Sequence, residues 1–221
     1  MKERVITSWS GGKDSCMALY EIQRSRDYEA AALLTTVTRD YDRISMHGVR
    51  RELLEKQAES LGLPLYQVSI SKGATNEEYE AGMKEALAAF TRQGIASVVF
   101  GDLFLRDIKE YRERLLTPLG MRCLFPLWGQ RTDALIRRFI RLEFKAVVTC
   151  VDPLALDDSF AGRVMDEEFL ADLPATVDPC GENGEFHTFV FDGPVFREAI
   201  NIRVGETVSR DGFTFCDLLP G

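Results

Sequence analysis

Apolar residues in the first two-thirds of the chain alternate between short β-branched runs and stretches that repeat every three or four positions. The first pattern predicts strands and the second predicts amphipathic helices. The predicted strands are 4–9, 31–37, 65–70, 95–100 and 146–151, and the predicted helices are 15–24, 49–61, 76–94 and 132–144. Asn76 is expected to cap the third of these helices. This alternation predicts an α/β fold, a parallel sheet flanked by helices that binds ligands at the carboxyl ends of its strands.

The last third of the chain has a different pattern. Its short apolar runs are separated by hairpin signals. The runs are 186–191, 198–204 and 213–218, and the signals are Gly193-Pro194, Gly205 and Asp211-Gly212. We therefore expect a main domain over 1–128 and a smaller α+β lobe, partly antiparallel, over 129–221.

Composition narrows the class of protein. Hydrophobic residues make up 45% and charged residues 28% of the chain, as in ordinary soluble domains. There are 35 acidic and 27 basic residues, and the net charge of −8 argues against generic binding to nucleic acid. No apolar run has transmembrane length, and the amino terminus lacks the features of a signal peptide, so no membrane partner is expected. The five scattered cysteines do not form a disulfide framework, which favours a reducing cytoplasm.

The segment between the first predicted strand and the first predicted helix indicates an anion site. Its two glycines let backbone N–H groups approach an anion, the helix adds its positive amino end, and hydroxyl groups and a lysine add further donors. The residues concerned are Ser8, Ser10, Gly11, Gly12, Lys13, Asp14 and Ser15. Asp14 is unusual in a pure anion site and suggests a magnesium ligand or a helix cap. The spacing differs from the Walker A and GxGxxG patterns, and the alternative is a simple turn before a helix.

Ser10-Gly11-Gly12-Lys13-Asp14-Ser15 resembles the PP-loop of the N-type ATP pyrophosphatases. The resemblance implies a fold of the adenine nucleotide α-hydrolase (HUP-like) type, with ATP and Mg²⁺ as cofactors. It also implies that the loop holds the pyrophosphate end of ATP. Most members of that superfamily transfer AMP to a substrate oxygen, and a nitrogen or sulfur nucleophile then displaces it.

Two further motifs narrow the resemblance. They are Phe100-Gly101-Asp102-Leu103, continued through Tyr111-Arg112-Glu113-Arg114 to Trp128, and the segment Asp178-Pro179-Cys180-Gly181-Glu182-Asn183-Gly184-Glu185-Phe186-His187-Thr188. With the PP-loop they resemble the diphthine–ammonia ligase family and its bacterial relatives, from about residue 4 to 218. Diphthamide-making members carry Glu-Gly-Gly-Glu-Phe/Tyr-Glu-Thr in the last motif, where this chain has Asn183 and His187. This version resembles the bacterial branch, for which amidation of a vitamin B12 precursor in salvage has been suggested.

The acidic residues and the histidine of these motifs are the catalytic candidates, together with Lys13. Asp102 would ligate magnesium, orient a substrate amine or cap the next turn. Glu182 and Glu185 would bind ammonium, accept its proton or hold a cationic substrate, unless they form a solvated acidic turn. His187 is either a general base near neutral pH or a structural group.

The remaining candidates concern binding. His47, after the second strand, would contact the nucleotide or start a helix. Arg112 would stabilise phosphate charge, or pair with Glu110 and Glu113 in solvent. Asn183, with Gly184, would present an amide to the substrate or occupy a left-handed turn position. A nucleophilic role for Cys180 is disfavoured, because amide formation needs no protein thiolate.

The favoured hypothesis is an amide ligase that forms AMP and pyrophosphate. A substrate carboxylate is adenylated and then attacked by ammonia, supplied as free ammonium or by a separate partner because no glutaminase domain fits in the chain. The acceptor would be protein-borne diphthine or a cobinamide-type carboxylate, and a homo-oligomer remains possible. The alternatives are sulfur transfer of the tRNA-thiolation type, which predicts a basic face, and a nucleotide sensor without turnover.

Overall fold

The computed structural model describes residues 1–40, 42–44 and 48–221, and within them the chain forms two β-sheets and six α-helices. The strands are β1 (Glu3–Ser8), β2 (Tyr28–Thr38), β3 (Arg43–Ile44), β4 (Leu65–Ile70), β5 (Ser97–Val99), β6 (Arg122–Leu124), β7 (Lys145–Val151), β8 (Phe186–Asp192), β9 (Ile202–Arg210) and β10 (Phe213–Pro220). The helices are α1 (Lys13–Arg24), α2 (Arg51–Leu61), α3 (Asn76–Thr91), α4 (Arg106–Leu116), α5 (Thr132–Arg141) and α6 (Glu167–Asp172).

The first sheet is parallel along the order β4-β2-β1-β5-β6, and the short strand β3 pairs antiparallel with the end of β2. Side chains of successive residues of β1 point to opposite faces of the sheet and pack in different hydrophobic clusters, as the pleat of a strand requires. Val5 packs in the cluster that contains residues of α1 and α2, and Ile6 packs in the cluster that contains residues of α3 and α4. Helices therefore cover both faces, and the predicted α/β architecture is confirmed.

The second sheet is antiparallel, in the order β8-β7-β10-β9. Including 146–151 in the parallel sheet was wrong, because β7 pairs antiparallel with β8 and β10. Its apolar run is buried on both faces, and such a run looks the same in either kind of sheet. The pairing partners of β7 come later in the chain, so local pattern could not reveal the sheet to which it belongs.

Two boundaries differ from the sequence predictions. Thr75, rather than Asn76, caps α3, because the Thr75 side chain accepts from the N–H of Glu78. The run expected at 198–204 begins later, as β9, and Gly205 lies inside that strand instead of separating two strands. The turn predicted at Asp211-Gly212 is present, and both residues have positive φ, at 51° and 86°.

Three segments position the site. The carboxyl end of β1 leads into α1, the carboxyl end of β5 leads to Asp102, and the glycine-rich loop 178–185 leads into β8. β8 lies against the β1–α1 loop, since the N–H of Val190 donates to the carbonyl of Gly11 at 2.9 Å. No helix of the described ranges has the length and apolar character that crossing a membrane requires.

Candidate functional site

A cleft of about 740 Å³ lies at the carboxyl ends of β1, β2 and β5, facing the loop before β8. Its volume is in the range of small-molecule sites. Most of the predicted site residues line it. They are Ser8, Ser10, Gly12, Lys13, Asp14, Ser15, Asp102, Arg112, Glu182, Gly184 and His187. Gly11, Asn183 and Glu185 do not line the cleft, and His47 lies outside the described residues.

Gly11 sets the shape of the β1–α1 loop. Its φ is 76°, a conformation that favours glycine, and a Cβ there would lie 2.7 Å from Oε1 of Gln57. The Gly11 carbonyl points away from the cleft and accepts from the N–H of Val190 and from Nε2 of Gln57. The loop is therefore fixed from behind by α2 and by β8.

The amino end of α1 supplies the donors of the predicted anion site, but protein groups already engage part of it. The N–H of Lys13 donates to Oγ1 of Thr188 at 3.1 Å, and the N–H of Gly12 faces Oγ of Ser10 at 3.3 Å. Within the described part of the chain, the N–H groups of Asp14 and Ser15 have no acceptor. These two N–H groups, at the positive end of the helix, are the backbone donors open to an anion.

Lys13 carries a buried positive charge at the base of the cleft. Its Nζ lies 2.8 Å from Oδ2 of Asp14 and 5.8 Å from the centre of the Phe186 ring. Burial by itself would lower the pKa of Lys13, but the negative charges of Asp14 and Glu182 outweigh burial, and the pKa is raised. The side chain is therefore cationic at neutral pH.

Four buried polar atoms of residues that line this cleft lack hydrogen-bond partners. They are Oδ1 of Asp14, Oγ1 of Thr35, Oδ2 of Asp102 and Nε of Arg112. Asp102 and Arg112 form an ion pair at 3.7 Å, which is too long for a hydrogen bond. Buried polar atoms are normally satisfied, so this concentration of unsatisfied ones indicates that a polar ligand belongs in the cleft.

The two unsatisfied carboxylate oxygens, of Asp14 and Asp102, fit a hard cation. Burial raises the pKa of Asp102, which Arg112 counteracts and Asp14 reinforces, so a cation would relieve an existing repulsion. Among the described residues no group of three or more acidic, histidine or cysteine side chains is placed to hold a metal ion. Magnesium is commonly held by one or two carboxylates together with phosphate oxygens and water, and two carboxylates satisfy that pattern.

The carboxyl group of Glu182, in the cleft, has a pKa near neutrality. Burial, followed by the charge of Asp14, raises the pKa of Glu182 to about 7. Its Oε1 accepts from the N–H of Leu103 at 3.0 Å, which fixes the carboxylate beside the end of β5. A carboxyl group with this pKa exchanges protons readily at physiological pH.

Glu185 is buried inside its loop, whereas a simple acidic turn would expose it to solvent. The residue is buried, and its carboxylate accepts from the N–H of Asp178, the N–H of Asn183 and Nδ2 of Asn183. Burial opposes ionisation, but these hydrogen bonds outweigh it and lower the pKa of Glu185. Glu185 and Asn183 thus hold the loop together, and the positive-φ positions belong to Gly181 and Gly184 instead of Asn183.

His187 lines the cleft, and its surroundings favour the neutral form of the ring. Burial, reinforced by the charge of Lys13, lowers the pKa of His187 to about 4. The ring is therefore neutral at pH 7 and can donate or accept a hydrogen bond through its nitrogens. The sequence could not show this, because it did not place Lys13 near His187.

Two other sequence expectations are resolved by geometry. Arg112 faces Asp102 and does not pair with Glu110 or Glu113 in solvent. Asp14 does not cap α1, since that helix has no side-chain cap. The Cys180 thiol is buried, and burial raises its pKa.

Sequence reasoning missed three residues that shape the site. Gln57 is fully buried on α2, where it accepts from Trp9 and donates to the carbonyls of Gly11 and Val190. Oγ1 of Thr188 accepts from the N–H of Lys13, and Thr35, which lines the cleft, has a buried hydroxyl group without a hydrogen-bond partner. Gln57 stands in an amphipathic helix at a position that should be apolar, and a polar residue at such a position is the signal that would have identified it.

Two family models together match most of the chain. A family model described as diphthamide synthase N-terminal domain matches residues 3–123, and one described as diphthamide synthase C-terminal domain matches residues 131–218. The chain is similar to the diphthine–ammonia ligases of Bos taurus, at 26% identity over 96% of this chain and 87% of the relative, and of Rattus norvegicus, at 29% over 95% and 87%. The diphthine–ammonia ligase of Homo sapiens is 27% identical over 95% of this chain and 87% of its own length.

Proposed function

Because the chain belongs to the diphthamide synthase family, we propose that it is an ATP-dependent ligase that joins ammonia to a substrate carboxylate. The observation that carries the proposal is the meeting of Lys13, Asp14, Asp102 and Glu182 in one cleft with unsatisfied polar atoms. This arrangement offers cationic and backbone donors for phosphate beside a carboxyl group that titrates near neutrality. The cleft therefore brings together an anion site and a proton acceptor.

The amino end of α1 would receive the pyrophosphate end of ATP. The N–H groups of Asp14 and Ser15 and the ammonium group of Lys13 are the donors that face it. Lys13 is held by Asp14 in the structure, and a phosphate oxygen would compete for the same ammonium group. Stabilising the charge on the departing phosphates and aligning the reactants are the contributions expected of these residues.

Asp14 and Asp102 would hold Mg²⁺ through the oxygens that lack partners. When bound, the ion would neutralise charge on the phosphates of ATP. Arg112, paired with Asp102, adds a second positive charge to the cleft.

Glu182 would prepare the nitrogen nucleophile. The acceptor carboxylate attacks the α-phosphorus of ATP, its oxygen forms the new bond to phosphorus, and pyrophosphate leaves. Glu182 takes one proton from ammonium, and the resulting ammonia attacks the acyl carbon. The bond from that carbon to the AMP oxygen breaks, AMP leaves, and the further proton of the amide nitrogen passes to solvent water. The pKa of Glu182, about 7, suits a group that must accept a proton and release it in each cycle.

The identity of the acceptor carboxylate is a separate question. Relatives named diphthine–ammonia ligase support a carboxylate of the diphthine kind. Asn183 and His187 replace the residues that the diphthamide-making motif carries at those positions, and they support a different acceptor, such as a B12-type precursor. His187 is the one of the two that lines the cleft. Five unpaired cysteines support a cytoplasmic location.

The test is a product assay with the full chain, ATP, Mg²⁺ and ammonium, run with either diphthine-bearing elongation factor 2 or a cobinamide-type carboxylate. A ligase forms AMP and pyrophosphate in equal amounts only when acceptor and ammonium are both present. The variant Lys13→Met, which removes the ammonium group but keeps a long side chain, should abolish product. Binding of ATP without any turnover would instead indicate a nucleotide sensor, and incorporation of sulfur in place of nitrogen would indicate a thiolation enzyme.

A further inference from the structure

A second cavity, of about 370 Å³, adjoins the cleft and takes no part in the nucleotide chemistry proposed above. Four residues line both spaces, namely Ile44, Ile70, Ala74 and His187. The loop after β4 and the turn of the β9–β10 hairpin form further parts of its wall. A molecule whose reacting end lies in the cleft can therefore extend past His187 into this second cavity.

The wall of the second cavity combines aromatic rings with cations. Phe213 and Phe215, both on β10, supply the rings, and Ile44 and Ile70 extend the apolar surface. The charged side chains that line it, among the described residues, are Arg43, Lys72, Arg210 and Asp211. Three cations thus face one carboxylate in a chain whose net charge is −8.

Neighbouring carboxylates are shared between cations. Oδ2 of Asp211 lies 3.7 Å from Nε of Arg210 and 3.9 Å from Nζ of Lys72, both beyond hydrogen-bond distance. The carboxylate of Asp217, which does not line the cavity, is also paired with two cations, Arg43 at 2.8 Å and Arg50 at 2.6 Å. Each of these two carboxylates, with one negative charge, is paired with two cations. The ion pairs therefore do not cancel the positive charge of the wall.

Two more carboxylates lie near the loop after β4 but do not line the cavity. Asp40 accepts from the N–H of Lys72 at 2.6 Å, and Glu78 accepts from the N–H and the hydroxyl group of Ser71. Their negative charge is directed at the backbone of the loop. A ligand in the cavity therefore meets the cationic side chains first.

We propose that the second cavity binds the non-reacting part of the carboxylate acceptor, and that this part is an apolar body bearing a negative charge. The assignment rests on the proposed function, since it presumes that the acceptor reacts in the cleft. Aromatic rings alone would also suit a quaternary ammonium group. Three cations in the same wall repel such a group, so the charge of the wall decides for an organic acid.

Two aromatic probes with the same naphthyl ring and opposite charge test which sign of charge the cavity binds. They are 2-naphthoate and 2-naphthyltrimethylammonium, titrated calorimetrically into the full chain saturated with ATP. We expect 2-naphthoate to bind, and the cationic probe to bind at least about tenfold more weakly. Phe213→Ala and Lys72→Gln should each weaken the binding of 2-naphthoate, the second by about tenfold.

Arg203→Gln is the matched control, because Arg203 is exposed on β9 and lies outside the cavity. Equal affinity for the two probes, or 2-naphthoate binding that neither cavity variant weakens, would overturn the inference. ATP binding, measured in the same samples, separates this failure from that of the proposed function. If ATP binds and the probes fail, the acceptor assignment alone is wrong. If the unmodified chain binds no ATP, the proposed function is wrong and the assignment of the cavity to an acceptor is wrong with it.

Discussion

Glu182 and Glu185, only three positions apart in one loop, have pKa values shifted in opposite directions. Burial makes ionisation of Glu182 costly, whereas backbone N–H groups and Asn183 stabilise the ionised form of Glu185. The sequence marked both residues as catalytic candidates and gave no means of separating them. The separation depends on which carboxylate faces the cleft and which faces the loop's own N–H groups, and both facts belong to tertiary structure.

The two glutamates should therefore respond oppositely to amide substitution. Because the pKa of Glu182 is raised, its ionisation removes stability as pH rises through about 7, and Glu182→Gln should stabilise the protein at pH 8. We expect a gain of about 1 kcal/mol, after allowing for the solvent that reaches this carboxylate. Glu185→Gln should cost about 2–3 kcal/mol, because an amide cannot accept all three hydrogen bonds. Urea unfolding at pH 8 measures both, and changes of the same sign would contradict the assignment.

The pKa of Glu182 also predicts the pH dependence of turnover. Below pH 7 Glu182 is increasingly protonated and cannot take a proton from ammonium, so the rate should fall on the acid side with an apparent pKa of about 7. His187 should not contribute to this limb, since its pKa is about 4. Initial rates at constant ammonium concentration between pH 5.5 and 8.5, with about 1-unit steps, record the profile. An acid limb that persists unchanged in Glu182→Gln would assign it to another group.

At the scale of elements, the amino end of α1 depends on contacts from α2 and β8. Local pattern predicted the strand, the glycine turn and the helix correctly, because each has a short-range signal. It could not predict that Gln57 and Val190 fix the Gly11 carbonyl, since those contacts join distant parts of the chain. The order of elements was therefore readable, but the contacts that give the loop its shape were not.

Gln57→Met should disturb both stability and nucleotide binding. The change keeps the volume of the side chain but leaves the buried Trp9 Nε1 and the Val190 carbonyl without their partner, at a cost of about 2–4 kcal/mol. Weaker binding of ATP should accompany the loss, because the Gly11 peptide is no longer held from α2. Gln67→Met, at an exposed position on β4, is the control. Loss of stability with unaltered ATP affinity would confine Gln57 to a structural role.

For the whole molecule, the motifs were more informative than periodicity. The PP-loop, Asp102 and the 178–188 segment identified the family that the domain models confirm, although β7 was assigned to the wrong sheet. Long-range pairing is not encoded in the apolar pattern of a buried strand, whereas a motif carries the shape of a site in its residues. The assignment to a bacterial branch, which rests on Asn183 and His187, stays a prediction.

Asp217 joins the C-terminal hairpin to the first sheet through Arg43 and Arg50. Burial opposes its ionisation, but the hydrogen bonds from the two arginines outweigh burial and lower the pKa of Asp217. Its contribution is present at neutral pH and is lost as pH falls through that lowered pKa. Asp217→Asn should cost about 1 kcal/mol at pH 7 and progressively less in acid. Asp133→Asn, which removes an exposed ion pair with Arg131, should have almost no effect in the same urea titrations.

The carbonyl of Gly11 has its N–H partner in Val190, far along the chain. A fragment that stops near residue 128 would keep every glycine, hydroxyl and lysine of the motif while losing the strand that orients them. Such a truncated polypeptide should contain the nucleotide-binding sequence motif but should have little affinity for ATP. Only mixing it with the complementary piece would restore that affinity.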